Sequence, residues 1–294
     1  MNFKEKYTQI KQLGQSEIKK IEQKMVTPIN TREPLNSYLK DFLNYPSKRI
    51  RPLLAILYTK ACEQNLTEEQ LELLSIIELI HNASLIHDDV IDNCDTRRNH
   101  KTLSAEFDNK LAVISGDYIL AIAMEKLTQI NNIEIIKKIS QTIKQMCIGE
   151  INQNFDRFKI GTIENYIEKT KNKTALLFEC TLYCCALLNN PQKHDLGLIS
   201  QLGLDIGIAF QIRDDLLNLS TIDTTKPIKN DVQDGIYNAP IIYAQDINNY
   251  SSGIEKTKDL LNNYIQNAKL KIEDLPNNQY KTALFEFLEL LNNV

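Results

Sequence analysis

Two short acidic clusters in this chain have the residue types and spacing for chemistry: Asp88-Asp89-Val90-Ile91-Asp92 and Asp214-Asp215-Leu216-Leu217-Asn218. Each stands at the end of a long apolar segment with helical character. Carboxylates at i, i+1 and i+4 share one side of a helix, because 3.6 residues make a turn. Such a cluster repels itself unless a cation compensates it, and hard oxygen donors suit Mg²⁺ carrying a phosphate. A ligand of that kind also needs positive side chains, and two basic groups supply them. Ser47-Lys48-Arg49-Ile50-Arg51-Pro52 leads into the apolar run Leu53-Leu54-Ala55-Ile56-Leu57. Pro52 suits a first helical turn, and the free N–H groups there favour phosphate. Arg97-Arg98 follows the first acidic cluster closely, and guanidinium groups grip phosphate oxygens in pairs. Either basic pair alone reads as a solvated patch, and one DDxxD is a weak signal. The four groups together point to an enzyme that handles diphosphates.

The elements that must position these residues read as helices nearly throughout. Thr67-Glu68-Glu69-Gln70 has the pattern of a capping box. From there to Asp92, Leu73, Leu74, Ile76, Ile77, Leu79, Ile80, Leu85 and Ile86 place apolar residues on almost every face, the mark of a central, buried helix. A second buried helix is predicted from about 196 to 217, where Gly203 and Gly207 lie one turn apart and would let a neighbouring helix approach. Further helices are predicted over 110–128 and 133–149, with another starting at Ile241. The tail from Glu255 shows weaker periodicity. Cys180, Cys184 and Cys185 resemble a metal motif, but on an apolar helix they read as packing residues. No internal repeat or linker is visible, so one all-α domain over 1–294 is expected, a helical bundle around a central active-site cavity.

The bulk numbers are compatible with this. Only 9 Gly and 8 Pro in 294 residues favour helices over a turn-rich β fold. The net charge of -4 argues against nucleic acid as a partner. No apolar run reaches the length of a membrane span and no signal-peptide core follows Met1, so a cytoplasmic protein without a stable membrane anchor is expected.

The motifs, in order, resemble those of the polyprenyl synthetase family of trans-isoprenyl diphosphate synthases. Lys48-Arg49-Ile50-Arg51-Pro52 is similar to its GKRxRP motif, and Glu78 through Asp92 to its first aspartate-rich motif with the approach to it. Asp95-Thr96-Arg97-Arg98, Ser115-Gly116-Asp117-Tyr118, Lys173-Thr174-Ala175, Phe210-Gln211-Ile212-Arg213-Asp214-Asp215, Lys226-Pro227 and Asp231 continue the series. The resemblance implies an allylic diphosphate, farnesyl diphosphate for instance, held through a cluster of three Mg²⁺ by Asp88, Asp92 and Asp214, with Mn²⁺ able to substitute. It implies Arg97 on the leaving diphosphate, Lys173, Thr174 and Gln211 around the allylic cation, and Lys226 as a further substrate contact. It assigns isopentenyl diphosphate to Lys48, Arg51, His81 and Arg98. The final proton is lost to the released diphosphate, so no strong protein base is required. His81 stands seven residues before Asp88 on the same face, whereas His87 points elsewhere.

Several positions depart from the family pattern. Ser47 and Asn99 replace glycines, Asn218 ends the second acidic motif without a charge, Asn82 stands where Thr is common, and Ile236 stands where short-chain members carry Lys, with Lys229 nearby. Ala83 and Ser84, five and four residues before Asp88, are small where aromatic residues block the product path in short-chain members. The resemblance thus implies a medium- or long-chain product, hexaprenyl or heptaprenyl, with a geranylgeranyl- or farnesyl-type short-chain synthase as the alternative. The loop Asp234 to Pro240 resembles the catalytic subunit of heterodimeric synthases. A homodimer is equally compatible, and residues 110–150 are the expected interface, with Leu111, Val113, Ile114, Ile119, Ile122 and Leu127. A class I terpene cyclase would not need the Lys48–Arg51 site. A non-catalytic regulatory subunit would not need both acidic clusters.

Overall fold

The computed structural model describes residues 3–189, 194–219, 232 and 234–294. Its residues group into two compact units. The smaller comprises Gly14–Ile56 and Asn65–Ile136, and the larger comprises Met1–Leu13, Leu57–Gln64 and Lys137–Val294. Apart from one short hairpin, every regular element described is helical.

In the smaller unit the central element is α5 (Glu68–Ile91), flanked by α2 (Gln15–Val26) and α7 (Asn109–Gln129). Its start is fixed by the expected capping box: Gln70 N–H donates to the Thr67 hydroxyl, and Thr67 N–H donates to the Gln70 side-chain oxygen. Leu73, Leu74, Ile76, Ile77 and Leu79 have no exposed surface. Each contributes about 1.5–3 kcal/mol by leaving water. The Asp108 carboxylate caps α7 by accepting from Leu111 N–H at 2.7 Å. Two more helices complete this part: α3 (Leu35–Asn44) and the four-residue α6 (Leu103–Glu106). The sequence reading had no strand, yet β1 (Thr96–Arg97) and β2 (His100–Lys101) pair antiparallel, Thr96 with Lys101 and Arg97 with His100. Arg98 and Asn99 form its turn with φ of 53° and 66°. Two left-handed residues make the hairpin turn that follows strand twist. Asn tolerates this conformation better than other residues with a Cβ, which suits Asn99 to the turn.

In the larger unit α10 (Leu176–Leu188) packs against α11 (Leu196–Leu219). The glycine pair makes this contact possible. A Cβ on Gly203 would lie 2.5 Å from Glu179 Cα, and one on Gly207 2.5 Å from Ala175 Cα. Cys180, Cys184 and Cys185 are buried packing residues of α10, and none of the chain's cysteines forms a disulfide. The remaining helices are α1 (Phe3–Gln12), α9 (Ile163–Thr170), α12 (Ala239–Ala244), α13 (Ser251–Ile272) and α14 (Gln279–Leu291). The Asn-rich tail is more regular than its sequence implies: α13 buries Leu261, Ile265, Ala268 and Ile272, one stripe at helical spacing. Two helices, α4 (Ile50–Ala61) and α8 (Ile133–Phe155), contain two of the four boundaries between the units. α8 continues past Gly149, where a helix end was expected. One glycine costs a helix only about 1 kcal/mol, and here it lets Asn172 approach, with a Cβ on Gly149 only 3.0 Å from Asn172 Cβ.

The proposed interface residues need correction. Ile119, Ile122 and Leu127 are buried within the chain on α7, whereas Val113 and Ile114 are 42% and 51% exposed. No helix among the described residues is long and apolar enough to cross a membrane.

Candidate active site

The predicted site residues fall into two groups, one in each unit. In the smaller unit, α5 carries His81, Ala83, Ser84, Asp88 and Asp92. The structure separates the three aspartates of the first cluster by role. Asp88 is half-buried, Asp92 is exposed at the helix C-cap, and Asp89 is buried. Asp89 Oδ1 accepts from Arg97 Nε at 2.6 Å and is ion-paired with a terminal nitrogen of the same guanidinium at 2.6 Å. Burial raises the Asp89 carboxyl pKa, and Arg97 opposes that shift. Arg97, expected on the leaving diphosphate, is thus held at the base of the hairpin by the middle aspartate. The hairpin itself is tied down. Tyr38 donates its hydroxyl to Lys101 O at 2.8 Å, and the Tyr45 ring stacks on His100 with centroids 3.8 Å apart.

The basic turn before α4 divides its labour in the same way. Lys48 is exposed and Arg49 is buried. Arg49 Nε reaches Glu22 at 3.0 Å, one terminal nitrogen reaches Glu78 at 3.1 Å, and the other donates to Leu43 O. It is a structural residue that neutralises Glu78 on α5. Arg49→Ala is expected to destabilise the protein by about 3–5 kcal/mol, because the buried Glu78 carboxylate loses its partner. A urea titration followed by circular dichroism checks this. Arg51 is brought down to about 10 by burial, with Glu78 opposing. His81 is depressed well below the usual imidazole range, by burial first and then by Arg51, Arg98, Arg49 and Arg97. Arg51, Arg98, Arg49 and Arg97 thus lie close enough to His81 to disfavour its charged form. His87 does lie elsewhere: its ring packs on α7, where a Cβ on Gly116 would come within 2.2 Å of Nε2. Ala83 is buried, and Ser84 is half-buried with its hydroxyl donating to His81 O at 2.9 Å.

In the larger unit, Lys173 and Thr174 stand on a π-helical turn, Lys171–Ala175, between α9 and α10. Such turns recur at functional sites, and the sequence carries no signature for one. Lys173 Nζ pairs with Glu150 at 2.7 Å. Thr174 donates to Gln211 Oε1 at 2.8 Å, and Gln211 Nε2 donates to Asp215 Oδ1 at 2.9 Å. Tyr166 donates its hydroxyl to Asp215 Oδ2 at 2.7 Å. Asp215 is buried and pushed up to about 6 by that burial, with Tyr166 and Gln211 opposing. Asp214 and Asn218, one turn apart on α11, are half-buried. Tyr166 was missed in the sequence because a lone tyrosine on an amphipathic helix reads as core. Lys226, Pro227, Lys229 and Asp231 lie outside the described residues.

The second cluster repeats the pattern of the first, with the middle aspartate buried and held, and the first more accessible. Asp88, Asp92 and Asp214 are hard oxygen donors of the kind Mg²⁺ takes. Among the described residues no three acidic, His or Cys side chains could hold a metal ion by themselves.

Comparison with known proteins shows the family. The family model for polyprenyl synthetase matches residues 32–280. A prenyl transferase of Cyanidium caldarium is 33% identical over 92% of this chain and 94% of its own. Component 2 of the heptaprenyl diphosphate synthase of Bacillus subtilis is 31% identical, over 83% of this chain and 70% of its own. The crystal structure of heptaprenyl diphosphate synthase from Staphylococcus aureus has a TM-score of 0.87 at 28% identity, over 95% of this chain and 98% of that one. A Caulobacter crescentus polyprenyl synthase, complexed with calcium and isoprenyl diphosphate, has a TM-score of 0.88 at 20% identity over 98% of each chain and shares the fold. The chain belongs to the polyprenyl synthetase family and is a chain-elongating prenyltransferase.

Proposed function

We propose that this prenyltransferase condenses isopentenyl diphosphate with an allylic diphosphate such as farnesyl diphosphate, 1′-4 and trans, to make a medium- or long-chain polyprenyl diphosphate. The observation that carries the two-substrate reading is the group of arginines, Arg51 and Arg98 first among them, that acts on His81, a residue about two helical turns before Asp88 on α5. Lys48, Arg51, His81 and Arg98 take isopentenyl diphosphate, and the neutral imidazole can donate one hydrogen bond without adding charge. Asp88, Asp92 and Asp214 hold divalent cations, Mg²⁺ in the first place. When bound, these supply Lewis acidity to the leaving diphosphate. Arg97, fixed by Asp89, and Lys226 add positive charge on the diphosphate side. The oxygens of Thr174 and Gln211 face the positive charge that develops on the allylic carbon, and Lys173 stands beside them. The C–O bond of the allylic diphosphate breaks, the double bond of isopentenyl diphosphate attacks the cation, and a proton leaves to the released diphosphate.

The small residues Ala83 and Ser84 support an open path for the growing chain. Exposed Val113 and Ile114 support assembly through α7, with a second copy or with a small regulatory subunit; the resemblance to component 2 of the Bacillus subtilis enzyme supports the latter. Residues 1–294 act as one polyprenyl synthetase domain in this reading. Six cysteines kept as thiols support a reducing compartment such as the cytoplasm.

The test is incubation with labelled isopentenyl diphosphate, farnesyl diphosphate and Mg²⁺, with products read by mass spectrometry. A ladder ending at hexaprenyl or heptaprenyl diphosphate is expected. A geranylgeranyl endpoint overturns the chain-length reading, and a cyclic hydrocarbon overturns the condensation. No product from the chain alone points to a missing partner or a regulatory role, and no product with candidate partners added assigns it the regulatory role.

A further inference from the structure

Tyr166 is unassigned by any motif, yet its hydroxyl is the terminal donor of a directed chain of hydrogen bonds. It donates to Asp215 Oδ2, Gln211 Nε2 donates to Asp215 Oδ1, and Thr174 Oγ1 donates to Gln211 Oε1. The four side chains come from three elements: Tyr166 from α9, Thr174 from the π-turn, and Gln211 and Asp215 from α11. All four belong to the larger unit. Packing alone does not explain a tyrosine here. The ring is 2% exposed, and phenylalanine would fill that volume without burying a hydroxyl.

The direction of the chain follows from what each group can do. A carboxylate only accepts, whereas a side-chain amide has one accepting end and one donating end. With Tyr166 on one oxygen of Asp215, the other oxygen takes the NH₂ end of Gln211, which turns the Gln211 carbonyl oxygen toward Thr174. Thr174 then commits its hydroxyl proton to that carbonyl. What remains on both groups is lone-pair density, the arrangement that stabilises a developing positive charge without reorganising. Without the Tyr166 hydroxyl, Asp215 Oδ2 loses its buried donor and Asp215 can rotate away from Gln211, and the amide is then no longer held by its NH₂ end and can turn either end to Thr174.

We propose that Tyr166 is a positioning residue for the condensation: through Asp215 it fixes the orientation of the Gln211 amide and of the Thr174 hydroxyl, so that both present oxygen to the allylic cation. The proposal rests on the prenyltransferase reading above for the identity of that cation. The hydrogen-bond polarity itself does not depend on it.

The experiment compares wild type, Tyr166→Phe, Thr174→Ala and the double variant. In Tyr166→Phe, kcat is expected to fall by about 10- to 100-fold, the scale for loosened positioning. KM for isopentenyl diphosphate should be unchanged, because its proposed contacts are in the other unit. The loss caused by Tyr166→Phe should be smaller in the Thr174→Ala background than in wild type, since Tyr166 acts in part through Thr174. A kcat per folded molecule equal to wild type, or losses that multiply in the double variant, overturns the proposal. If Tyr166→Phe does not fold, Asp215→Asn replaces it in the same cycle with the same expectation, because its NH₂ would meet Gln211 and turn that amide around. A readout independent of turnover is the side-chain NH₂ signal of Gln211 in ¹⁵N-glutamine NMR, assigned by its loss in Gln211→Leu. It should be a single, slowly exchanging pair in wild type and broadened or doubled in Tyr166→Phe. An unchanged signal overturns the proposal whatever the assay shows, whereas a wild type that makes no product overturns only the prenyltransferase reading.

Discussion

Asp88→Asn is expected to lower kcat by about 10²- to 10⁴-fold, equivalent to about 3–5 kcal/mol of transition-state stabilisation, with the unfolding midpoint little changed. An amide still coordinates through its carbonyl oxygen but brings no charge to the cation. Raising Mg²⁺ should therefore recover part of the rate. The neighbouring residue should behave differently. Asp89 is buried and engaged with Arg97 through two 2.6 Å contacts, so Asp89→Asn releases Arg97 and weakens the grip on diphosphate without shifting the Mg²⁺ dependence. Rates measured against Mg²⁺ concentration for both variants check the division of roles. Equal Mg²⁺ shifts in the two would show that the middle aspartate is a metal ligand after all.

Ser84→Phe is expected to change the product more than the rate. Ser84 lies four residues before Asp88, about 6 Å back along the helix. It is half-buried, whereas Ala83 is 2% exposed and already packed. A phenylalanine at position 83 would overpack the core and destabilise it by about 1–3 kcal/mol. Position 84 is half-buried, and a ring there would stand on the side that lines the proposed path. The distribution should shift to products shorter by several isoprene units, with the first condensation still occurring. An unchanged distribution by mass spectrometry would remove the open-path argument and leave the deeper residues Ile76, Ile77 and Ile80 as the floor.

Much of this site was legible because its residues sit on long helices. The capping box at Thr67, the all-round burial of α5 and the glycine pair at 203 and 207 are periodic or local signals, and the structure bears them out. Periodicity also placed His87 away from the acidic face. What the sequence concealed has no period. A strand of two residues cannot alternate, so the Arg97 hairpin rests on two left-handed residues at Arg98 and Asn99. Pairings across distant elements, Arg97 with Asp89 and Tyr166 with Asp215, depend on which face turns inward once neighbours pack. The same limit explains Ile119, Ile122 and Leu127. Apolar residues on α7 look alike in sequence whether α5 or another chain covers them, and here they are buried within the chain.

The π-turn at Lys171–Ala175 has a consequence for how this enzyme could change over evolutionary time. One extra residue in a helical turn rotates everything after it by about 100° relative to everything before it. The face of α9 that carries Tyr166 and the face of α10 that meets Gly203 and Gly207 both turn toward α11, and the extra residue is where the register between the two helices is adjusted. Substitutions that repack α10 against α11 need not re-aim Lys173 and Thr174, because the turn acts as a phase adjuster between scaffold and site. Deleting a single residue there would leave both helices intact as helices and would misalign one with respect to the other.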